Sequence, residues 1–424
     1  MQNIIYELSW RGLIKNKVPG IENQLKKPIT MYIGFDPTSD SLHLGSLLPI
    51  MMLIHFQKNG HKSLALIGQA TGFIGDPSEK ENKRIFLSKE ILQKNTTSIR
   101  NQILNLLKFH SIKIELLNNF DWIQNISFID FIREIGKYFS VNYMISKDSV
   151  KKRINNNKNG ISFTEFSYSL IQGYDFLYLN QIKNCQLQIG GSDQWGNITT
   201  GIELIRKKTG KKAYGITFPL IVKPNGMKFG KSEKGENIWL DKKKTSPYKF
   251  YQFWMNISDF EIEKYIKIYT FFSKEKIENL ISKHRKYPSK RLLQRKLASE
   301  ITEWVHGNEI SKKITEITNV LFDNKNQSFQ LLDDKTLISI YNYIPHMLLS
   351  HNELEKGIFL LDLLKKSGFF PSKNEANHAL KANSIRLNKI LIKENILIKK
   401  ENIIRKKYIF LQFGKKEFFL IKVE

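Results

Sequence analysis

The sequence predicts an α/β protein: a parallel sheet with helices on both faces, then a helical domain and a small basic α+β domain. Three observations carry this. Short apolar runs bounded by turn residues alternate with longer helix-patterned stretches through the first half. After Thr245-Ser-Pro, amphipathic helical patterning runs on to about Phe322 without strand signals. The final stretch, 345–424, has one helix pair and then short Ile/Phe-rich runs, with nine Lys/Arg against two acids between Lys389 and Lys416.

In chain order, Ile29-Thr-Met-Tyr-Ile-Gly-Phe is short and apolar and reads as a strand. Asp36-Pro-Thr-Ser-Asp40 is turn chemistry, with Asp40 or Ser41 as the cap of a helix. From Leu42 to Phe56 the apolar density predicts a buried helix. His61 to Ile67 reads as a second strand and Leu187-Gln-Ile-Gly-Gly as a third, followed by a helix over Asn197–Lys208. Ligands of such sheets sit beyond the carboxyl ends of the strands. Lys223 to Glu236 holds three glycines, one proline and no apolar periodicity, so a mobile loop is expected. The expected division is therefore 1–222, a loop and connector over 223–244, a helical domain over 245–322, a linker over 323–344 and a terminal domain over 345–424. Asn155-Asn-Asn-Lys-Asn-Gly reads as a flexible tip.

Composition bounds the function. The 424 residues, 41% hydrophobic and 25% charged, fit a globular chain of a few domains. No apolar run reaches the ~18 residues that span a bilayer. Met1-Gln-Asn-Ile-Ile-Tyr lacks the basic and apolar segments of a secretion signal, so a cytoplasmic protein is expected. A single cysteine, Cys185, excludes an internal disulfide and a thiolate-rich metal cluster. The net charge of +27 favours a polyanionic partner such as nucleic acid. Lysine is abundant throughout the chain, however, so charge alone does not separate that footprint from a general composition bias.

Five segments carry chemistry-bearing residues. Tyr32-Ile-Gly-Phe-Asp-Pro-Thr-Ser-Asp-Ser-Leu-His-Leu-Gly-Ser joins a strand to a helix amino end, whose free N–H groups and partial positive charge suit phosphate. There Gly34 and Gly45 allow close backbone approach, and His43 is placed to donate to a phosphate oxygen. Alone, His-Leu-Gly fits equally a satisfied histidine beside packing glycines. Tyr168, Gln172 and Asp175 share one helical face, a phenol, an amide and a carboxylate that converge as a polar pocket or an exposed polar stripe. Gln188-Ile-Gly-Gly-Ser-Asp-Gln-Trp places an acid and an amide after paired glycines, suited to ribose hydroxyls and an amino group. Lys228-Phe-Gly-Lys-Ser puts two lysines on a Gly-flanked segment, able to meet a triphosphate or merely water. Thr71-Gly-Phe-Ile-Gly-Asp76-Pro-Ser-Glu-Lys80 is another strand exit with an acid, followed by Arg84.

Weak singly, these segments in this order resemble the bacterial tyrosyl-tRNA synthetases essentially from end to end. The resemblance rests on Tyr32-Ile-Gly-Phe-Asp-Pro-Thr, His43-Leu-Gly-Ser, Ala70-Thr-Gly-Phe-Ile-Gly-Asp-Pro-Ser, Gly136-Lys-Tyr-Phe-Ser-Val-Asn and Gly160-Ile-Ser-Phe-Thr-Glu-Phe-Ser-Tyr. It continues through Gln188-Ile-Gly-Gly-Ser-Asp-Gln-Trp-Gly-Asn, Lys228-Phe-Gly-Lys-Ser and Thr245-Ser-Pro-Tyr-Lys-Phe-Tyr-Gln-Phe-Trp. The carboxyl end is similar, more loosely, to the small RNA-binding domain of ribosomal protein S4, through Pro371-Ser-Lys-Asn-Glu-Ala and Ile385-Arg-Leu-Asn. The usual glycines around that strand are Asn383 and Lys389 here.

The resemblance implies a class I synthetase with a Rossmann-like catalytic domain, a helical anticodon-side domain, an S4-like domain and a homodimer. It implies tyrosine activation with Mg-ATP to tyrosyl-adenylate, release of pyrophosphate and transfer to the 3′ end of tRNA(Tyr), with no resident metal or organic cofactor. Carried over residue by residue, Tyr32 and Asp175 bind the phenolic hydroxyl. Asp76, Tyr168 and Gln172 bind the ammonium group, with Asn119 and Gln188 supporting that end. Gly34, Asp36, Gly45, Gly190, Asp193 and Gln194 line the ATP or adenylate. Thr38, His43, Ser46, Lys80, Arg84, Lys228 and Lys231 serve the phosphates. The family's first signature usually ends in a second histidine where this chain has Ser46, which reaches less far and carries no charge. Slower adenylation is expected, and Ser46→His is expected to raise it; an unchanged or lower rate would contradict this. The basic tail and Lys151-Lys152-Arg153 are expected tRNA phosphate contacts.

Three alternatives fit the residues less well. A tryptophanyl-tRNA synthetase shares the fold but not the phenol-matched Tyr32/Asp175 pair. A nucleotidylyltransferase or pantothenate-type ligase lacks the long carboxyl half. A non-catalytic RNA-binding relative does not need Lys228, Lys231, Asp76 and Asp175 together.

Overall fold

The computed structural model describes residues 4–76, 87–147, 150–151, 154, 162–222, 226, 229–230, 235–322 and 332–424. They form two compact units, Met1–Asp241 with Ile257–Leu297, and Lys242–Asn256 with Ala298–Glu424. The helical stretch 245–322 is thus divided between them.

The first unit is built on a sheet of β1 (Asn16–Lys17), β2 (Thr30–Phe35), β3 (Lys62–Ile67), β4 (Glu115–Asn118), β5 (Cys185–Gly191) and β6 (Tyr214–Phe218). Their order is β1-β6-β5-β2-β3-β4. Every pairing is parallel except the edge strand β1, which runs antiparallel to β6. The chain fills the sheet from β2 outward through β3 and β4, then crosses back to add β5 on β2's other side. The order reverses between β2 and β5, where open α/β sheets leave a crevice at their carboxyl ends. Tyr32 on β2 pairs in register with Leu64 on β3 and Gln188 on β5, so both polar side chains lie at that reversal.

The first helix after β2 starts later than the apolar run suggested. The chain around His43 is extended, because Leu44 N donates to Ile238 O (2.8 Å) and Leu240 N donates to Leu42 O (2.9 Å). A short 3₁₀ turn, Leu44–Ser46, then leads into the helix Leu47–Lys58. The cap is His43, in extended backbone, whose side chain accepts from Gly45 N, and not Asp40 or Ser41. The helix itself is buried along most of its length, from Leu47 to Phe56, as its apolar density requires. The helix Phe163–Lys183 packs by Leu170, Phe176, Leu177 and Leu179 into a core shared with Tyr32, Leu64, Trp122, Leu204 and Ile205.

In the second unit, β7 (His346–Leu349), β9 (Ile385–Leu387), β10 (Ile390–Leu391), β12 (Tyr408–Phe413) and β13 (Glu417–Val423) form a sheet ordered β10-β9-β12-β13-β7. A two-stranded pair, β8 (Ile358–Phe359) and β11 (Leu397–Ile398), lies beside it in sequence. The helices Leu360–Lys366 and Lys373–Lys381 share one apolar core with the sheet, through Leu363, Leu364, Ala376, Leu380, Ile409 and Ile421. Asn383 and Lys389, where glycine is usual, both take positive φ (54° and 71°), the conformation that favours glycine. Lys389 Nζ donates to Leu321 O at the end of the helix Asn308–Phe322, a contact glycine cannot make.

Candidate active site

The site forms at the carboxyl ends of β2, β3, β4 and β5, from the residues that leave the sheet there. Asp36 follows β2, Thr71 lies in the short helix Gln69–Ile74 after β3, Asn119 follows β4, and Asp193 and Gln194 follow β5. The helix Phe163–Lys183 crosses them with Tyr168, Gln172 and Asp175. Tyr168 and Asp175 are buried and Gln172 is half-buried, so the polar face of this helix is a pocket wall and not a solvated stripe.

A string of hydrogen bonds ties these residues together. Tyr168 Oη donates to Asp36 Oδ2 (2.8 Å), and Thr71 Oγ1 donates to Asp36 Oδ1 (2.8 Å). Asn119 Nδ2 donates to Thr71 Oγ1 (3.2 Å) and to Asp175 Oδ2 (3.0 Å), while its Oδ1 accepts from Ala70 N (2.7 Å). Trp122 Nε1 donates to Asp175 Oδ1 (2.9 Å). Each carboxylate oxygen of Asp175 thus has one neutral donor, and the group is only 2% exposed. Asn119 is placed against Asp175, at the phenol end of the expected pocket. On the other side Gln194 Nε2 donates to Asp76 Oδ2 (2.5 Å) and to Asp193 Oδ2 (2.8 Å), gathering three residues expected to serve ammonium and adenylate.

The electrostatics follow from burial. Desolvation raises Asp175 to about 7, against the pull of the Asn119 and Trp122 donors, and the charge of Asp36 adds to the rise. Burial, reinforced by the Asp175 charge, pushes the Tyr32 phenol well above its ordinary range, and burial with Asp36 does the same to Tyr168. Both phenols therefore stay protonated, Tyr168 with its proton held by Asp36 and Tyr32 with its proton available to a ligand. Tyr32 Oη and Gln188 Oε1 are buried with no hydrogen-bond partner among the described residues. A buried polar atom left so carries a cost of about 1–3 kcal/mol, which a ligand hydroxyl or ammonium removes.

On the nucleotide side, Gly34 and Thr38 are exposed, Gly190 is half-buried, and His43 is exposed beside Gly45 and Ser46. His43 Nδ1 accepts from Gly45 N (3.1 Å), which assigns the neutral ring's proton to Nε2. Ser46 makes no side-chain cap bond to the helix that follows it. Lys80, Arg84, Lys228 and Lys231 lie outside the described residues, as do Lys152 and Arg153; Lys151 is exposed.

Three residues at this site had no role assigned from the sequence. Thr71 and Trp122 are links in the hydrogen-bond string. Gly68 is required sterically: a β-carbon there would lie 2.0 Å from Asp36 Oδ1 and 2.3 Å from Thr71 Oγ1. Thr71 lies in a motif the sequence marks and Gly68 just before it, but Trp122 sits in a four-residue helix, Phe120–Ile123, whose brevity leaves no periodicity to show its inward face.

The family model of the class I tRNA synthetases (W and Y) matches residues 23–323. The chain is 50% identical over 431 residues to a tyrosine--tRNA ligase of Flavobacterium johnsoniae, covering 100% of both chains. It is 47% identical over 427 residues to that of Bacteroides thetaiotaomicron, covering 99% of each. Among solved structures it is similar to a C-terminally truncated mitochondrial tyrosyl-tRNA synthetase of Aspergillus nidulans, with a TM-score of 0.68 and 29% identity, over 76% of this chain and 95% of that one. With its sheet, its polar cleft and this likeness over the whole length, the chain belongs to the tyrosine--tRNA ligase family of class I tRNA synthetases.

Proposed function

We propose that this cleft performs the family's reaction, ligation of tyrosine to tRNA with ATP, through the following division of labour. Tyrosine enters with its phenolic O–H donating to the Asp175 carboxylate, while the Tyr32 hydroxyl donates to the phenolic oxygen. The ammonium group meets Asp76, Gln172 and the free lone pair of Tyr168, whose own proton is committed to Asp36. Gly34, Asp36, Gly190, Asp193 and Gln194 line the adenosine. A tyrosine carboxylate oxygen then attacks the α-phosphorus of ATP, which enters as its magnesium complex. The bond to the β-phosphate breaks and pyrophosphate leaves. A terminal ribose hydroxyl of the tRNA next attacks the acyl carbon, and AMP departs.

No protein nucleophile is needed, so the chain's contribution is placement and charge neutralisation. His43 Nε2–H, Thr38, Ser46 and the backbone at Gly45 meet the phosphates, with Lys80, Arg84, Lys228 and Lys231 supplying positive charge as it develops. Asn119 and Trp122 hold the Asp175 carboxylate in place for the phenol. Lys151 and the basic carboxyl-terminal domain meet tRNA phosphates, which makes affinity fall with salt. Large apolar side chains that stay exposed at Phe128, Ile129, Ile132, Val141, Ile145 and Phe163 support a homodimer. The protein acts in the cytoplasm.

One observation carries this reading: a buried carboxylate at 175, held by two neutral donors, near a buried Tyr32 hydroxyl with no partner among the described residues. ATP–pyrophosphate exchange by the purified protein tests it. Exchange is expected with tyrosine and not with tryptophan; the reverse preference would place the chain's activity on the tryptophan branch.

A further inference from the structure

The turn that carries His43 is held on two sides by residues to which no role has been given. On one side Ile238–Leu240 runs antiparallel to it, through the two backbone bonds described above, and His43 faces Trp239. Gly230, at φ +93°, rests on the same turn: a β-carbon there would lie 3.3 Å from Leu44 Cβ and 3.4 Å from Gly45 N. On the other side stands Gln102, midway along the helix Lys89–Phe109. Its Oε1 accepts from Leu42 N (2.8 Å) and its Nε2 donates to Ser41 Oγ (3.1 Å). Ser41 Oγ in turn donates to Leu42 O (2.8 Å) and accepts from Asp241 N (3.2 Å).

The chemistry of these groups leaves little freedom. A hydroxyl has one proton and two lone pairs, and Ser41, buried at 4% exposure, uses all three. Leu42 N–H can only donate, so it must face the amide oxygen of Gln102, and the amide nitrogen is then turned to Ser41. An apolar side chain at 102 would keep the helix packed, since Leu92, Ile99, Ile103 and Leu106 are buried along it, yet it would leave Leu42 N–H and a lone pair of Ser41 unpaired. The pair therefore fixes the turn's position and not the helix's.

We propose that Gln102 is a positioning residue for the ATP-dependent step. Through Leu42 and Ser41 it sets the turn that presents His43 and Gly45, and through Ser41 it ties that turn to Asp241, where the segment following Lys228 and Lys231 returns. The His43 turn and the segment Ile238–Asp241 then keep a fixed spacing. The proposal rests on the reading of the His43 turn as a phosphate site.

Steady-state exchange kinetics on Gln102→Met, Ser41→Ala, the double variant and His43→Ala test it, with tyrosine affinity in the absence of ATP and thermal midpoint measured on each. For Gln102→Met and Ser41→Ala, kcat/KM for ATP is expected to fall about 10- to 100-fold, the scale of a small misplacement of a reacting group. Tyrosine affinity should stay as in the wild type, and the double variant should be no worse than the more severe single one, because the two residues act as one unit. Unchanged ATP kinetics in both, an equal loss of tyrosine affinity, or losses that multiply in the double variant would overturn the proposal. Should Gln102→Met fail to fold, the smaller Ser41→Ala deletion decides on the same readouts. A loss with His43→Ala but with neither of the others removes only the positioning role; no loss with His43→Ala removes the phosphate-site reading beneath it.

Discussion

Asp175, the proposed acceptor of the tyrosine phenol, sits between opposing influences. Burial favours its neutral form, the Asn119 and Trp122 donors favour its charged form, and the balance leaves it at about 7. A phenol needs the charged form as acceptor, so tyrosine affinity is expected to rise between pH 6 and 8, with a proton released on binding near neutrality. Calorimetry in buffers of different ionisation enthalpy reads both; affinity that is flat over this window would contradict the assignment. The folded pKa is raised above the unfolded value of 3.8. The group's stabilising contribution is therefore present below about pH 4 and lost as pH rises through about 7. The stretch 168–175 was legible in the sequence because helical spacing alone puts its polar residues together. Its hydrogen bonds to Asn119, which the resemblance put at the ammonium end, and to Trp122 were not, since these reach Asp175 from 56 and 53 residues away.

At the scale of elements, β2, β3 and β5 were readable because a short apolar run between turn residues has few alternatives. The start of the helix after β2 was not: its extended lead-in is imposed by residues 238–240, far along the chain. The antiparallel edge strand β1 is only two residues long and carries no pattern. The helix Leu47–Lys58 reads as uniformly apolar inside, yet it buries His55 against Phe271, with ring centroids 4.9 Å apart, and His110 meets that ring from 4.5 Å. Desolvation first, then Arg11, Lys58 and His110, lowers His55 to about 3; desolvation and Lys58 lower His110 to about 4. Because the folded values are depressed, their contribution to stability is present above about pH 6.5 and lost as pH falls through 4 and 3. Denaturant titrations at pH 7 and 4.5 are expected to show His55→Phe losing roughly 2–3 kcal/mol less than the wild type over that interval. Equal losses would show that the imidazole already carries its proton in the folded state.

For the whole molecule, composition marked where the chain changes character, but compactness does not follow chain order: Ile257–Leu297 groups with the first unit. Arg11 shows one cause, since its buried guanidinium donates to the carbonyls of Lys267, Thr270 and Phe272, contacts between residues too distant in sequence for any local pattern to record. The net charge of +27 suits the proposed contact with tRNA phosphates. The exposed apolar residues between 128 and 163 gain theirs from the proposed dimer. Sedimentation is expected to give twice the chain mass for the wild type and one chain mass for Ile129→Glu with Phe163→Glu; a monomeric wild type would remove the dimer.

All of this depends on the buried carboxylate reading the substrate's hydroxyl. Sites built to bond a hydroxyl reject the analogue lacking it by about 10⁴–10⁵, and tyrosine against phenylalanine is the very case on which that figure rests. The most direct measurement is ATP–pyrophosphate exchange driven by tyrosine and by phenylalanine, on the wild type and on Asp175→Asn. Exchange with tyrosine alone is expected in the wild type, and loss of that exchange in the variant. Exchange that survives in Asp175→Asn at wild-type tyrosine affinity would contradict it.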